Sequence, residues 1–435
     1  MRKWAVLFLI LLVLLIQMGC RPMERINREN NKLVEVEEVN NIERITGFKA
    51  ENNRFYFTGI HDKSFNFYYV DLKTKELVKE HASIEEFDSF IPLGEGQALL
   101  VDGQGQLFFR KNGNDQKIDD NISTEYGPNL LVSPTLNKAI YTKGTEGNAT
   151  MYLYTVGEKS PMLIKENIST EAYITFGYTS VWSNLGDYFI FNNNEIYNAD
   201  GKLFGSINAA SIKWAPNDEN IAFVKMPSDP SRAKIYSSHW QSYIGNEFAI
   251  YNMKERREES VFTHESGLVN VFEDISFSED SLKAGIALGD INRAPDGALN
   301  AMTYHSILVY KLSNGEKQVI DNMPYNYKDF LFNEFIYGST LGRRDVVEIV
   351  SLEDDYRVEY SNPKILNSKD MFIAYYNDRG YLLSNRDLIM FESDNIKNTS
   401  IVITFPWDVT SIHLDTKSKH FAVLNKDNQL FILKI

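Results

Sequence analysis

One hairpin returns along this chain, and its return limits the possible folds more than any single residue does. It reads as an apolar or aromatic residue, then Ser or Ala, a polar turn of about five residues, and an apolar strand. The copies are Val132-Ser133 with Ala139-Ile140-Tyr141, Trp182-Ser183 with Tyr188-Phe189-Ile190-Phe191, Trp214-Ala215 with Ile221-Ala222-Phe223, and Phe277-Ser278 with Ala284-Gly285-Ile286. A weaker copy pairs Leu414 with Phe421-Ala422-Val423. Downstream comes a second hairpin, apolar-Tyr-x-apolar followed by a polar turn, at Tyr69, Tyr154, Tyr197 and Tyr310. Short apolar runs rich in Tyr, Phe, Ile and Val, set between Asn, Asp, Gly and Ser, read as strands. No stretch beyond Cys20 reads as a helix of more than about two turns. Two hairpins per unit make a four-stranded antiparallel sheet, and a series of such sheets is the sequence form of an all-β β-propeller.

Nine units can be marked, near 45–80, 88–118, 129–165, 178–207, 211–263, 273–320, 329–361, 370–405 and 409–435. Propellers usually hold four to eight blades, so some units are expected to merge, giving seven or eight. The last unit offers three strands. Leu33-Val34-Glu35-Val36-Glu37-Glu38-Val39 or a neighbouring segment is placed to supply the fourth and close the ring. Trp182-Ser183 with Gly186-Asp187, and Trp214-Ala215-Pro216-Asn217-Asp218, resemble the repeat of TolB-like β-propellers, Trp-Ser-Pro-Asp-Gly-Lys before an apolar strand. In size, degenerate blades and N-terminal segment the chain is also similar to the YqgU-like propeller lipoproteins of Gram-positive bacteria. That resemblance implies a fold and an envelope location, and little about activity.

The N-terminus has its own pattern. Arg2 and Lys3 precede an unbroken apolar run from Trp4 to Ile16, the layout of an export signal. Thirteen helical residues rise only about 20 Å against a hydrocarbon core of about 30 Å, so the run is a poor permanent span. Gly19-Cys20 then resembles the lipobox of bacterial lipoproteins, although Gln17 stands where that family usually has an apolar residue. The resemblance implies cleavage before Cys20 and a diacylglycerol on its sulfur. Cys20 is the only cysteine, and a free thiol in an oxidising compartment is a liability that modification removes. The expected organisation is a signal peptide over 1–19, a lipidated N-terminus and polar tether over 20–41, and the propeller over 42–435. The expected location is the extracytoplasmic face of the cell membrane, held there by lipid.

Loss of residues 1–19 takes away Arg2 and Lys3 and leaves 43 basic against 59 acidic side chains, a net charge of −16. A surface of that sign is repelled by nucleic acid and by anionic lipid head groups. Catalytic signatures such as His-Glu-x-x-His, Gly-x-Ser-x-Gly or a P-loop are missing from the sequence, and no catalytic residue, metal ligand or cofactor is assigned. Gly338-Ser339-Thr340-Leu341-Gly342 reads as a loop, and Asp290-x-Asn292-x-x-x-Asp296-Gly297 as a polar loop with only a faint calcium character. Trp182, Trp214 and Phe277 recur at one position of the repeat and read as core rather than as a sugar platform.

Two connections between second and third strands are long, 226–247 and 289–305, and should lie side by side on one ring face. The first carries Arg232, Tyr236, His239, Trp240 and Tyr243, aromatic anchors and hydrogen-bond donors of the kind found on contact surfaces. The expected function is non-enzymatic binding of a protein, peptide or cell-wall ligand on that loop-rich face. The alternative is an envelope hydrolase or lyase, which would need titratable side chains from several blades to converge at the channel mouth.

Overall fold

The computed structural model describes residues 33–435 except 62, 83, 85–86, 124–128, 146–147, 170–179, 227–233, 237–240, 244, 246, 264–266, 270–274, 294–298, 322–325, 341–342, 354–356, 362–372, 377 and 394. The export segment, Cys20 and the tether up to Lys32 lie outside the described residues. Nine antiparallel sheets follow one another: blade 1 over 44–81, blade 2 over 87–119, blade 3 over 130–168, blade 4 over 181–206, blade 5 over 209–263, blade 6 over 267–321, blade 7 over 326–361, blade 8 over 373–404 and blade 9 over 409–434. The expected seven or eight blades are therefore corrected to nine. The physical reason is that every marked unit brings its own inner strand, so no unit can be absorbed into a neighbour.

Blade 9 is completed by Leu33–Glu35, which pairs with Leu430–Lys434 in the register Leu33 to Leu433, Val34 to Ile432 and Glu35 to Phe431. The ring thus closes by joining the two ends of the domain, which removes the free edge that the C-terminal strand would otherwise present. Among the described residues the only helix is a short 3-10 turn, Glu37–Asn41, leading from this closing strand into blade 1.

The recurring hairpin has a common turn. Ser133, Ser183, Ala215 and Ser278 each accept, at their carbonyl, the N–H of the residue three positions on, respectively Leu136, Gly186, Asp218 and Ser281. That residue takes a positive φ in all four copies, +59°, +80°, +58° and +61°. Gly186 meets this demand without strain, and an Asp tolerates it better than a β-branched residue would. The Ser hydroxyls of three copies then accept the N–H that opens the next strand, Lys138 at 3.2 Å, Tyr188 at 3.1 Å and Lys283 at 2.9 Å. This explains why Ser follows the aromatic residue: its short side chain satisfies a backbone donor that the tight turn leaves free. The weaker copy turns differently, with Lys419 N–H bonded to Asp415 carbonyl and the positive φ at Lys419.

Neighbouring blades are held by apolar clusters that straddle them. Ile140, Met151 and Leu153 of blade 3 pack on Trp182, Phe189 and Tyr197 of blade 4. Ala222 and Phe248 of blade 5 pack on Phe277, Ile286 and Leu308 of blade 6. Phe55, Phe57 and Val70 of blade 1 pack on Leu424, Leu430 and Ile432 of blade 9, sealing the ring. Burying side chains of this size stabilises by about 1.5–3 kcal/mol each. The contact between blades 1 and 2 is aromatic instead, with Phe67, His81 and Phe90 in one group.

The chain direction defines two ring faces. Turns between strands 1 and 2, and between strands 3 and 4, open on one, called here the turn face. Connections between strands 2 and 3, and the links between blades, open on the other, the link face. The 226–247 connection on the link face contains a two-stranded hairpin, Lys234–Tyr236 with Gln241–Tyr243. The 289–305 connection is not a loop over most of its length. Strands Lys283–Arg293 and Leu299–Lys311 run on past the blade, and Gly267–Val269 pairs with the extension. Asp290 and Asn292 are accordingly ladder residues opposite Thr303 and Ala301, while Asp296 and Gly297 lie outside the described residues. Gly338, Ser339 and Thr340, expected in a loop, belong to strand Phe335–Thr340.

Candidate functional site at the channel mouth

Contacts between the first strands of successive blades put these strands innermost, around the ring axis. Where they end on the turn face, a cavity of about 350 Å³ opens between blades 4 and 8. Its floor is apolar: Trp214, Phe277 and Phe330 are buried. Pro216, Asp329 and Tyr337 form half-buried walls, and Asn184, Lys213, Glu279 and Tyr375 stand exposed at the rim. Asn184, Pro216 and Glu279 occupy the same place in the repeat, two residues after Trp182, Trp214 and Phe277. The repeat therefore places one cavity-lining side chain per blade in three successive blades.

The rim is fixed by bonds from turn to turn. The Asp218 carboxylate of blade 5 accepts the N–H groups of Asn184 at 2.8 Å and Leu185 at 2.9 Å from blade 4, and the Asn184 side-chain amide donates to the Ala215 carbonyl at 2.9 Å. Asn217 N–H donates to the Ser281 hydroxyl at 3.2 Å, joining blades 5 and 6. Asp280 N–H donates to Asn333 Oδ1 at 3.0 Å, and Lys283 Nζ to the Asn333 carbonyl at 2.7 Å, joining blades 6 and 7. A mouth stitched in this way is preformed, which lowers the ordering cost of binding.

Charge in the mouth is mixed. Desolvation raises the pKa of Asp329, against the opposing pull of Lys213 and of the Phe330 N–H, which donates to Asp329 Oδ1 at 2.9 Å. Desolvation also raises the Tyr375 phenol, and the negative charges of Glu279 and Asp329 add to the effect. Two carboxyl groups, one ammonium and two phenols thus meet over an aromatic floor. Trp214 Nε1 is buried with no acceptor among the described residues. The reading of Trp182, Trp214 and Phe277 as core agrees with their burial, at 6 %, 3 % and 6 % exposure. Trp214 and Phe277 nonetheless show one side to the cavity.

Of the loop residues singled out in the sequence, the two that are described lie on the opposite face. Tyr236 and Tyr243 sit on the hairpin strands of the 226–247 connection, with Tyr236 opposite Gln241 and Tyr243 opposite Lys234. Arg232, His239 and Trp240 lie outside the described residues. Among the described residues, no group of three or more His, Asp or Glu side chains is placed to hold a metal ion, and no helix is long and apolar enough to cross a membrane.

No family model matches the sequence, and no curated protein matches it. Solved structures that it resembles include an oligogalacturonate lyase in complex with manganese (8 % identity, 95 % of each chain covered, TM-score 0.42). The C-terminal WD40 domain of Sif2 is similar at 9 % identity, with 93 % of this chain and 98 % of that one covered and a TM-score of 0.42. The tricorn protease is similar at 12 % identity and a TM-score of 0.39, over 83 % of this chain, which spans 43 % of the protease. Two of these are enzymes and one is a WD40 domain, so likeness at this level says nothing about activity. Fold and site together define a β-propeller with a preformed pocket at one channel mouth.

Proposed function

We propose that this protein is an extracytoplasmic lipoprotein, anchored through Cys20, whose propeller binds a small envelope ligand at the turn-face channel mouth without transforming it. The observation that carries the binding reading is the convergence of side chains from five successive blades on one preformed cavity with an aromatic floor and a charged rim. Pockets of about 300–1,000 Å³ with a few placed polar groups are the usual form of small-molecule sites. The anchoring rests on the apolar run and Gly19-Cys20, the likeness to TolB-like proteins on the two tryptophan turns, and that to YqgU-like lipoproteins on size, degenerate blades and the N-terminal segment. A protein or peptide partner taken by Arg232, Tyr236, His239, Trp240 and Tyr243 is a separate proposal. Deleting residues 228–245 tests it, since partner capture should be lost while the fold survives.

The test of the pocket is a thermal-shift titration of the mature protein with envelope sugars, amino acids and short peptides. A ligand at one hundred times its Kd stabilises the native state by about 2.7 kcal/mol. The reading expects such a ligand to lose its effect on Asp329→Asn and Tyr375→Ala, with circular dichroism showing that each variant stays folded. A ligand that stabilises wild type and both variants equally would remove the site from this cavity. The enzyme reading is favoured by one observation, the raised pKa of Asp329 beside Lys213, which suits proton transfer. Turnover of the bound compound, lost in Asp329→Asn, would establish it in place of binding alone.

A further inference from the structure

The end of the described chain and five of the exposed large apolar side chains fall on the same face of the ring. Leu33 opens the closing strand opposite Leu433, near the end of the last strand, so the chain from Cys20 enters blade 9 at the turn face. Residues 21–32 form the only covalent span between lipid and ring. Twelve residues reach at most about 40 Å fully extended. Blade strands of six to eight residues, such as Gln97–Asp102 and Arg54–His61, make the ring about 20–27 Å deep. Setting the link face on a bilayer would therefore use half or more of that greatest length merely to pass the ring's edge.

The turn face also carries apolar side chains that packing leaves out in solvent. Leu203 is 62 % exposed, Leu185 53 %, Leu282 52 %, and Met162 and Leu163 46 % each. Leu185 and Leu282 occupy turns between first and second strands, and the other three open fourth strands. Met162 and Leu203 are close in space: Gly201, two residues before Leu203, lies against the Met162 side chain. Exposed Lys159 and Lys202 flank this pair in the same turns. Nearby Asp200 is paired with Lys138 at 3.3 Å, and exposed Glu158 and Asp187 are acids in the adjoining turns. Leucine and methionine interleaved with lysine is the chemistry of a surface that sits in the headgroup region. Blades 3 and 4 are on the far side of the ring from blade 9, so the tether and this patch would hold the face at two separated points. The turn face also carries exposed Asp187, Glu279 and Asp280 in the turns of Leu185 and Leu282, so the contact rests on the apolar side chains, and repulsion from acids elsewhere on the molecule decays within about 8 Å at physiological salt.

We propose that the turn face of the propeller lies on the lipid bilayer, with its channel mouth toward the membrane and its long hairpins pointing away. This rests on the reading of Cys20 as lipidated. The ligand of the channel mouth then arrives along the membrane surface. The test uses the full lipidated protein in vesicles of phosphatidylcholine and phosphatidylglycerol, with a nitroxide label at Leu203→Cys, at Leu282→Cys, or at Glu37→Cys on the link face. The oxygen-to-nickel accessibility ratio should be severalfold higher at positions 203 and 282 than at 37, although 37 is much nearer Cys20 in sequence. Equal or reversed ratios in protein that floats with the vesicles overturn the orientation and leave the anchor standing. Wild type that does not float, or Cys20→Ala that floats equally well, overturns the anchor and the orientation with it. Circular dichroism of each labelled protein confirms that these exposed positions leave the fold intact.

Discussion

His81 makes the joint between blades 1 and 2 sensitive to acid. Its ring stacks on Phe67 at 6.3 Å and meets Phe90 edge-on at 5.2 Å, and the residue is only 4 % exposed. Its Nε2 is buried with no hydrogen-bond partner among the described residues. Desolvation, helped by the positive charge of Arg110, lowers its pKa from 6.5 to about 4. The folded state therefore keeps the imidazole neutral in a pH range where the unfolded chain protonates it. Stability from this group is intact above pH 6.5 and is lost as pH falls toward 4. At 1.36 kcal/mol per unit of pKa difference, the loss at pH 4.5 relative to pH 7.5 is about 2.5 kcal/mol. Urea unfolding of wild type and His81→Leu at the two pH values, followed by tryptophan fluorescence, isolates the term. All other titrations, including those of His413 and His420, whose pKa values burial also lowers, are shared by both proteins. Wild type should lose about 2.5 kcal/mol more than the variant between pH 7.5 and 4.5. A difference between the two losses of less than about 0.5 kcal/mol would refute the assignment of a buried neutral imidazole to this joint.

Three further outcomes follow from the packing and the turns. Trp182→Ala removes a side chain from the blade 3–4 cluster and frees the Leu131 carbonyl, which Trp182 Nε1 now reaches at 3.1 Å; calorimetry should show a loss of about 3–5 kcal/mol. Asp218→Ala leaves the Asn184 and Leu185 N–H groups without their acceptor, and about 2 kcal/mol of stability should go with it, together with faster hydrogen exchange at those two amides. Deleting residues 33–35 uncovers the edge of Leu430–Lys434; size-exclusion chromatography should then show edge-driven association, whereas a monomer with unchanged melting temperature would mean that the closing strand contributes nothing.

The propeller was legible because its signal is local and repeated. Alternation in each strand, Ser after the aromatic residue and a polar turn of fixed length are all requirements of one hairpin, and the chain states them several times over. The closing strand was legible for a related reason: a unit with three strands leaves Leu33-Val34-Glu35 a partner. The blade number departs from the four to eight usual in propellers because each of the nine units contains its own inner strand. The 289–305 segment misled because Asn292, Pro295, Asp296 and Gly297 look like loop chemistry, yet cross-strand pairing carries Asp290 to Asn292 in a ladder. The channel mouth was missed since none of its residues is unusual alone. Asn184, Pro216 and Glu279 are ordinary turn residues until the repeat is aligned and the position two after the aromatic is seen to face the axis. Asp329 and Tyr375 carry no such marker, because their place depends on how blades 7 and 8 are set beside blade 6.

The proposed location of the propeller depends on Cys20. Metabolic labelling of the expressing cell with an alkyne fatty acid, followed by capture of this protein, tests the point directly. The account predicts label on wild type, none on Cys20→Ala, and a mature chain beginning at residue 20. An unlabelled wild type, or equal label on both proteins, would contradict it and leave a nine-bladed ring without an anchor.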